Sequence, residues 1–296
     1  MKWALWAVAA LAAANGAQAV QLRAHDLDQE LRTVRDHMQA GEYRYALAYA
    51  AHIVAEHRES AEGARLYAWL LQVGGQEAAA RRVLKDDAVA QEKPPVPALS
   101  RETQPLPSSA RVKGSGVLLD ANRVLVPLAA LECEHVIVRN ALGDVANGQV
   151  ERRLPNLGVA IAALETPMPF DAAQEVAASP PFPGSAGFAV GYARLDTSDA
   201  SWPTLASGFV GRSLEGGPDR RLEARFAVGA RAGIVFDRWG RLLGIALPDG
   251  GAARLVPVPQ ETRIPLAEAT ARQSRPVEQI YEAALTSVVQ VIIGED

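Results

Sequence analysis

Residues 113–120 read KGSGVLLD, and the turn residues 121–123 separate them from the apolar segment VLV at residues 124–126. An apolar run that opens with small residues and is followed by a short turn and a second apolar run predicts a β-hairpin. Six further segments combine strand character with turn residues at their ends, and they span residues 134–138, 159–164, 187–192, 204–212, 233–237 and 240–246. Many short strands at near-regular spacing predict a barrel or a sandwich.

The order of these segments over roughly residues 112–259 resembles the trypsin-like domain of the HtrA family of proteases. The matches are G-S-G-V-I-I-D to 114–120, I-L-T-N-N-H-V-V to 124–131, D-L-A-L-L-K to 158–163, and the nucleophile loop G-N-S-G-G-P to 229–234. The resemblance implies an all-β, trypsin-like double β-barrel for residues 111–262, in a chain of mixed α+β class. We expect no counterpart of the PDZ module that follows the protease domain in that family.

The same alignment places Ala129, Gly158 and Arg231 where the resembled family carries its catalytic histidine, aspartate and serine. Hydrolysis of this kind needs a hydroxyl that attacks, an imidazole that accepts its proton and a carboxylate that orients the imidazole. The methyl group of Ala129 cannot accept a proton, and Gly158 has no side chain to orient an imidazole. The guanidinium of Arg231 is not a nucleophile. We therefore expect no enzymatic activity, with these three as vestigial positions. Ala232 replaces the family's next glycine, which predicts a remodelled loop.

The N-terminus has the pattern of a secretory signal. A charged start is followed by a short apolar core and the small-residue exit Ala17-Gln18-Ala19. We expect a signal peptide over residues 1–19, cleaved after Ala19, and a periplasmic or secreted mature protein without stable membrane insertion, because the apolar core is too short for a dependable span.

Residues 20–90 show helical periods rich in alanine. Gly41 and Gly75 lie 34 residues apart, which is the tetratricopeptide period, and the segment resembles tetratricopeptide helical hairpins with Tyr43 and Tyr67 as candidate partner-binding residues. A small helical bundle without a ligand is the alternative. Four helices, or two hairpins, are expected.

Residues 91–110 are rich in proline and predict an extended linker that tethers two separate domains. Residues 263–296 predict a helix followed by an apolar strand, SVVQVII at 287–293. In the resembled family such a segment precedes the first strand of the domain. Here we expect it to complete its own barrel, to be exchanged with a partner, or to be an unrelated strand.

Composition excludes several function classes. The net charge of −4 argues against nucleic acid as a partner. A single cysteine, Cys133, rules out an internal disulfide framework. No cofactor motif is present, and His52 and His57, five residues apart, do not share a helix face, so we expect no metal site.

Three functions remain open. The first is a non-catalytic pseudoprotease that binds or scaffolds proteins of a periplasmic complex, the second a structural subunit that uses only its helical repeats, and the third a serine-type endopeptidase whose catalytic site the alignment misassigns. For the first, strand addition in a vestigial cleft needs only main-chain groups. The candidate partner-binding residues are Arg231, Arg225, Tyr43, Tyr67, Val289 and Val291.

Overall fold

The computed structural model describes residues 26–84, 106–171, 174–178, 181–193, 201–214, 219–224, 226, 232–249, 252–259 and 273–294. The predicted signal peptide and most of the predicted linker lie outside these residues. None of the described helices is long and apolar enough to cross a membrane.

Four helices form the N-terminal part of the described chain: α1 (Leu27–Ala40), α2 (Tyr43–Glu56), α3 (Ala61–Val73) and α4 (Glu77–Val83). Helix α1 begins after Asp26, whose side chain accepts a hydrogen bond from the backbone of Asp28, and α3 begins after Ser60 in a similar way. Gly41 and Gly75 follow α1 and α3 with φ of 76° and 78°. Left-handed glycines therefore end the first helix of each hairpin.

The first β-barrel has six strands, in the closed order β1-β12-β3-β4-β5-β2. Their bounds are β1 (Arg111–Asp120), β2 (Arg123–Pro127), β3 (His135–Asn140), β4 (Val145–Leu154), β5 (Val159–Leu164) and β12 (Val288–Ile293). A short 3₁₀ turn, Leu128–Ala130, follows β2. Aliphatic side chains from all six strands fill the interior.

The second barrel is also closed and six-stranded, in the order β10-β11-β8-β7-β6-β9. Its strands are β6 (Ala186–Gly191), β7 (Thr204–Ser213), β8 (Arg220–Ala224), β9 (Gly233–Phe236), β10 (Leu242–Asp249) and β11 (Ala252–Pro257). All pairings in both barrels are antiparallel, and two closed barrels leave no free sheet edge. The predicted fold class, helical hairpins followed by an all-β double barrel, is confirmed.

Strands β4, β8 and β11 were absent from the expectation drawn from the sequence. Strand β4 exposes most of its C-terminal half, where charged residues mask the apolar alternation. Strand β8, RRLEA, contains a single large apolar residue, Leu222, which is fully buried. The sequences of these strands carry little strand signal. They adopt strand conformation because a neighbouring strand on each side satisfies their backbone N–H and C=O groups.

The C-terminal segment consists of α5 (Val277–Ser287) and β12. Strand β12 lies between β1 and β3, with Val289 opposite Gly116 on one side and Asn140 on the other. All six of its residues are buried. In this chain the last strand therefore closes the first barrel.

The helical domain packs directly on the barrels through α5, which corrects the expectation of two merely tethered domains. Tyr43 of α2 meets Tyr281 of α5 edge to face, with ring centroids 4.7 Å apart. Trp202 lies 5.5 Å from Trp69 and 6.4 Å from Tyr281, so that four aromatic rings join the helices to the β-domain. One continuous apolar core runs through this junction. Because buried apolar surface stabilises by about 25 cal/mol per Å², packing at this junction holds the helices against the β-domain.

Candidate functional site

Position 129 lies at the end of the first barrel. Strand β2 ends at Pro127, and Ala129 follows in the 3₁₀ turn with an exposed side chain. The turn is closed by a hydrogen bond from the backbone N–H of Leu131 to the carbonyl of Leu128. A methyl group at this point offers neither a proton acceptor nor a donor.

Position 158 lies beside position 129. The backbone N–H of Leu128 donates to the carbonyl of Gly158 at 2.9 Å, which ties the two turns together. Gly158 itself has φ of 73° and ends a turn that begins at Leu154. A residue with a β-carbon is strained in this left-handed conformation, least so aspartate or asparagine, so the backbone at 158 suits glycine best.

A guanidinium from the second barrel covers the space next to Gly158. A β-carbon built on Gly158 would lie 3.2 Å from Nη2 of Arg254 and 3.1 Å from Cδ1 of Leu247. Arg254 is held in place because its Nη1 donates to Oδ2 of Asp219 at 2.8 Å, and its Nη2 donates to the carbonyl of Leu157 at 3.4 Å. The space beside position 158 is thus bordered by the ion pair of Arg254 and Asp219. No sequence motif pointed to Arg254.

Position 231 and the loop predicted to be remodelled, like Arg225, lie outside the described residues. The next residue, Ala232, is buried, and its carbonyl accepts a hydrogen bond of 3.3 Å from the hydroxyl of Ser115. The Ser115 oxygen also accepts a hydrogen bond of 2.7 Å from the backbone N–H of Tyr192. Ser115 is fully buried and joins the two barrels through backbone groups. Its hydroxyl is therefore engaged in structure.

In the described part of the chain, no imidazole hydrogen-bonds a hydroxyl or a thiol. His37, His52 and His57 lie in the helical domain and face carboxylates. His135, on β3, lines a cavity of about 300 Å³ together with Leu106, Gly294 and seven other residues. No acid–base pair of the protease type is formed by these residues. Nor do three His, Cys, Asp or Glu side chains among the described residues form a group that could hold a metal ion.

The predicted partner-binding residues that the structure describes are mostly interior. Tyr43, Val289 and Val291 have no exposed surface, and Tyr67 is half-buried against the helical core. The Tyr43 hydroxyl donates to the carbonyl of Leu70. In this chain Tyr43, Val289 and Val291 present no surface to a partner, because α5, β1 and β3 already cover them. The alanine-rich pattern did not reveal that a distant helix covers Tyr43.

Burial perturbs three tyrosines around the C-terminal segment. It raises the pKa of Tyr281 and of Tyr192 well above the ordinary value. Burial also raises the pKa of Tyr43, and the nearby carboxylate of Glu278 adds to the shift. All three phenols are therefore neutral hydrogen-bond donors at ordinary pH.

Comparison with known proteins gives no matching family model and no matching curated protein. Solved structures do show a likeness. The active form of the Rv3671c protease from M. tuberculosis is 16% identical, with a TM-score of 0.39, and the match covers 51% of this chain and 76% of that one. For the MamO protease domain from Magnetospirillum magneticum the identity is 17%, the TM-score 0.38 and the coverage 51% and 92%.

The HtrA-type protease AlgW, solved with a decapeptide, is 18% identical, with a TM-score of 0.38, and the match covers 49% of this chain and 48% of AlgW. These structure neighbours are proteases, and a likeness at such identities concerns the fold alone. The two-barrel architecture of this chain rests on its own strand pairing.

Proposed function

We propose that this chain is a non-catalytic pseudoprotease, exported to the periplasm, that binds or scaffolds protein partners. The main supporting observation is the pair of adjacent turns at Ala129 and Gly158, which present a methyl group and a bare backbone where the resembled proteases carry an imidazole and a carboxylate. The third position, Arg231, is assigned from the alignment. The 34-residue spacing between Gly41 and Gly75 and their shared left-handed conformation support tetratricopeptide-like hairpins.

The cation beside Gly158 strengthens the proposal. Peptide hydrolysis passes through a protonated imidazole that a carboxylate stabilises. A carboxylate introduced at position 158 would instead lie against the guanidinium of Arg254, which is already paired with Asp219, before it could serve an imidazole. Restoring the three residue types in A129H/G158D/R231S is therefore expected to leave the chain inactive, because Gly158 is left-handed and Arg254 remains.

A serine-reactive fluorophosphonate probe tests the loss of catalysis. The mature protein is expected to remain unlabelled and to leave casein intact, while an active trypsin-like protease in the same buffer is labelled and digests it. Covalent labelling of the native chain, or casein hydrolysis that survives further purification, would favour the endopeptidase alternative.

Photo-crosslinking in the periplasm tests the binding role. A photoreactive amino acid at Ala129, exposed in the vestigial cleft, is expected to capture a protein partner, and the same residue at Glu77, exposed on α4, serves as the control. Capture from Tyr45, exposed on the helical domain, with none from Ala129 would favour the structural subunit that uses only its helices. Deleting the helical domain is a poor substitute, because it uncovers Tyr281 and Trp202.

A further inference from the structure

The hairpin of β9 and β10 carries a cluster of cations away from the vestigial cleft. Its turn, residues 237–241, reads DRWGR and connects Phe236, the last residue of β9, to Leu242, the first residue of β10. Strand β9 begins at Gly233, two residues after position 231, and the turn follows its opposite end, four residues or about 13 Å further along. The turn therefore forms a surface of its own.

The Asp237 carboxylate fixes the shape of this turn. Its Oδ1 accepts hydrogen bonds of 2.9 Å from the backbone N–H groups of Trp239 and Arg241, and its Oδ2 accepts one of 2.6 Å from Nε of Arg241. The Asp237 side chain is only 3% exposed. Gly240 completes the turn with φ of 79°. Both carboxylate oxygens are thus engaged inside the turn, which holds its other side chains in a defined arrangement.

Two guanidinium groups lie against the ring of Trp239. The Cζ atoms of Arg238 and Arg241 are 4.3 Å and 4.7 Å from the ring centroid. Arg238 is exposed, and Trp239 and Arg241 are half-buried. A cation–π contact orients a guanidinium and leaves its charge in place. The indole ring therefore presents cations at the surface.

A third guanidinium comes from the segment before α5. The backbone N–H of Arg275 donates to the carbonyl of Arg238 at 2.9 Å, and the hydroxyl of Ser274 donates to the same carbonyl at 3.4 Å. The Arg275 side chain passes over Gly240, where a β-carbon would lie 3.2 Å from its Cδ and 3.3 Å from its Nη1. Two parts of the chain that are distant in sequence thus place cations on one surface.

The charges of this surface do not cancel. Asp237 pairs with Arg241. In the part of the chain that the structure describes, neither Arg238 nor Arg275 lies within ion-pair distance of a carboxylate. Like charges held close together repel one another, and an anion bound between them relieves that repulsion. The surface is therefore locally positive in a chain whose net charge is −4, and it suits an anion from outside.

We propose that this cationic hairpin, formed by Arg238, Arg241 and Arg275 around Trp239, binds an acidic segment of a partner polypeptide. Neighbouring Asp or Glu carboxylates of that segment pair with Arg238 and Arg275. A guanidinium suits this role because its planar fork donates two parallel hydrogen bonds to one carboxylate.

A polypeptide fits this surface better than an anionic membrane does. Proteins that lie on membranes insert apolar side chains between the lipids, whereas the Trp239 ring is half-buried and lies against two guanidiniums. Clusters that recognise anionic lipids hold about four to eight cations, and this turn leaves only Arg238 and Arg275 without a carboxylate of their own.

This inference rests on the proposed role in binding partner proteins, to which it adds a second surface and a partner chemistry. The two can fail separately. Labelling by the fluorophosphonate probe and capture from Ala129 report on the vestigial cleft, whereas binding of an acidic peptide reports on the hairpin.

The test titrates the full-length mature protein with acetyl-Gly-Glu-Glu-Glu-Gly-amide and with its glutamine counterpart, which has nearly the same shape and no charge. Isothermal titration calorimetry is expected to show the glutamate peptide binding about tenfold more tightly at low salt, with the difference shrinking as salt is added. Equal affinity for the two peptides, or binding of neither, would overturn the proposal.

A double variant and a matched control locate the site. Arg238→Gln combined with Arg275→Gln removes both unpaired cations at exposed positions, and it is expected to weaken binding of the glutamate peptide about tenfold. Arg123→Gln, beside the β1–β2 turn of the first barrel, removes a guanidinium that pairs with Asp120, and it is expected to leave the affinity unchanged. Unaltered binding in the double variant would contradict the assignment.

A charge reversal keeps the test informative if the double variant folds poorly. Arg238→Glu places a carboxylate on the same surface as Arg275, so binding of the glutamate peptide is expected to disappear while the melting temperature stays at the wild-type value. Full binding in Arg238→Glu would place the peptide elsewhere on the molecule and refute the proposal.

Sedimentation with vesicles of phosphatidylglycerol and phosphatidylcholine tests the membrane alternative. The protein is expected to stay in the supernatant. Vesicle binding by a protein that does not bind the glutamate peptide would mean that the hairpin recognises lipid, and the proposal of a polypeptide partner would fall.

Discussion

The two barrels share one architecture and differ in how the chain closes them. The second barrel takes all six strands from one continuous stretch, β6 to β11. The first takes β1 to β5 from a continuous stretch and its sixth strand, β12, from the end of the chain. A barrel therefore needs a strand that fits between two open edges. Where that strand lies in the sequence matters less, because the entropic cost of closing a loop grows only slowly with loop length.

Removal of the C-terminal segment is expected to have the largest effect, and to separate the barrels. A chain ending at residue 272 leaves β1 and β3 with open edges and uncovers Tyr43 and Trp202, so we expect the first barrel to lose its protection from hydrogen exchange and to aggregate. The second barrel is expected to retain protection over β6 to β11. Mass-spectrometric hydrogen exchange measures both.

A chain ending at residue 294 is the matched control and should exchange like the intact protein. A peptide of residues 273–296, added in trans, is expected to restore protection of β1 and β3 by strand addition. Retained protection of β1 and β3 in the chain ending at 272 would show that the first barrel does not depend on β12.

Tyr281→Ala is expected to lower the free energy of unfolding by about 3–5 kcal/mol, because it empties a fully buried aromatic site. Tyr281→Phe removes only the hydroxyl bonded to Pro203 and is expected to cost about 1–3 kcal/mol, since that buried carbonyl loses its partner. Urea denaturation measures both.

Leu222→Ala, in the core of the second barrel, provides the comparison and is expected to lower the free energy of unfolding by about 2–5 kcal/mol. Hydrogen exchange of α2 should quicken in Tyr281→Ala and remain slow in Leu222→Ala under native conditions. The same acceleration in both variants would mean that α5 is not what secures the helical domain.

Alkaline pH should weaken the closure of the first barrel. Tyr43, Tyr192 and Tyr281 all adjoin the C-terminal segment, and burial is the main cause that raises their pKa. Because the folded-state pKa exceeds the ordinary value of about 10, the stability that each confers is complete below pH 10 and declines as the pH rises further, where only the unfolded chain ionises.

Each of these tyrosines is expected to lower the free energy of unfolding by about 1.4 kcal/mol for each pH unit above 10. Urea unfolding between pH 9 and pH 11 measures this slope. Tyr192→Phe should reduce that slope, because it removes one of the three buried phenols. A free energy of unfolding that stays constant over this range would contradict the assignment.

The ion pair of Arg44 and Glu282 is expected to contribute least, about 0.2–1 kcal/mol, because its side chains are 43% and 23% exposed. A double-mutant cycle with Arg44→Ala and Glu282→Gln, followed by urea denaturation, measures this coupling at low and high salt. A coupling of several kcal/mol that resists salt would mean that the junction relies on charge more than on its aromatic core.

The strands that were predicted from the sequence are apolar runs whose ends are marked by turn residues. Strands β1 and β2 are apolar runs separated by a turn, and both were predicted within a few residues of their observed ends. Strand β8 was missed, since RRLEA has almost no apolar signal and becomes a strand by pairing with β7 and β11. Prediction failed where a strand is specified by its neighbours.

The candidate site divides in the same way. The sequence frame named Ala129 and Gly158, and the structure brings their turns together through one backbone hydrogen bond. Nothing in the sequence indicated that Arg254, on a missed strand of the other barrel, reaches the space beside Gly158. Contacts between barrels depend on how two closed surfaces meet, and a local pattern carries no record of that.

By itself, the sequence determined the local elements and the residue types at each position: helical periods before a proline-rich stretch, strands and turns after it, and a methyl group and a glycine at 129 and 158. The tertiary structure decided that β12 lies between β1 and β3 and that Tyr43 is covered by α5. The physical reason is that periodicity reports which face of an element is apolar, whereas the partner that covers the face is selected by shape and hydrogen bonding between segments far apart in the chain.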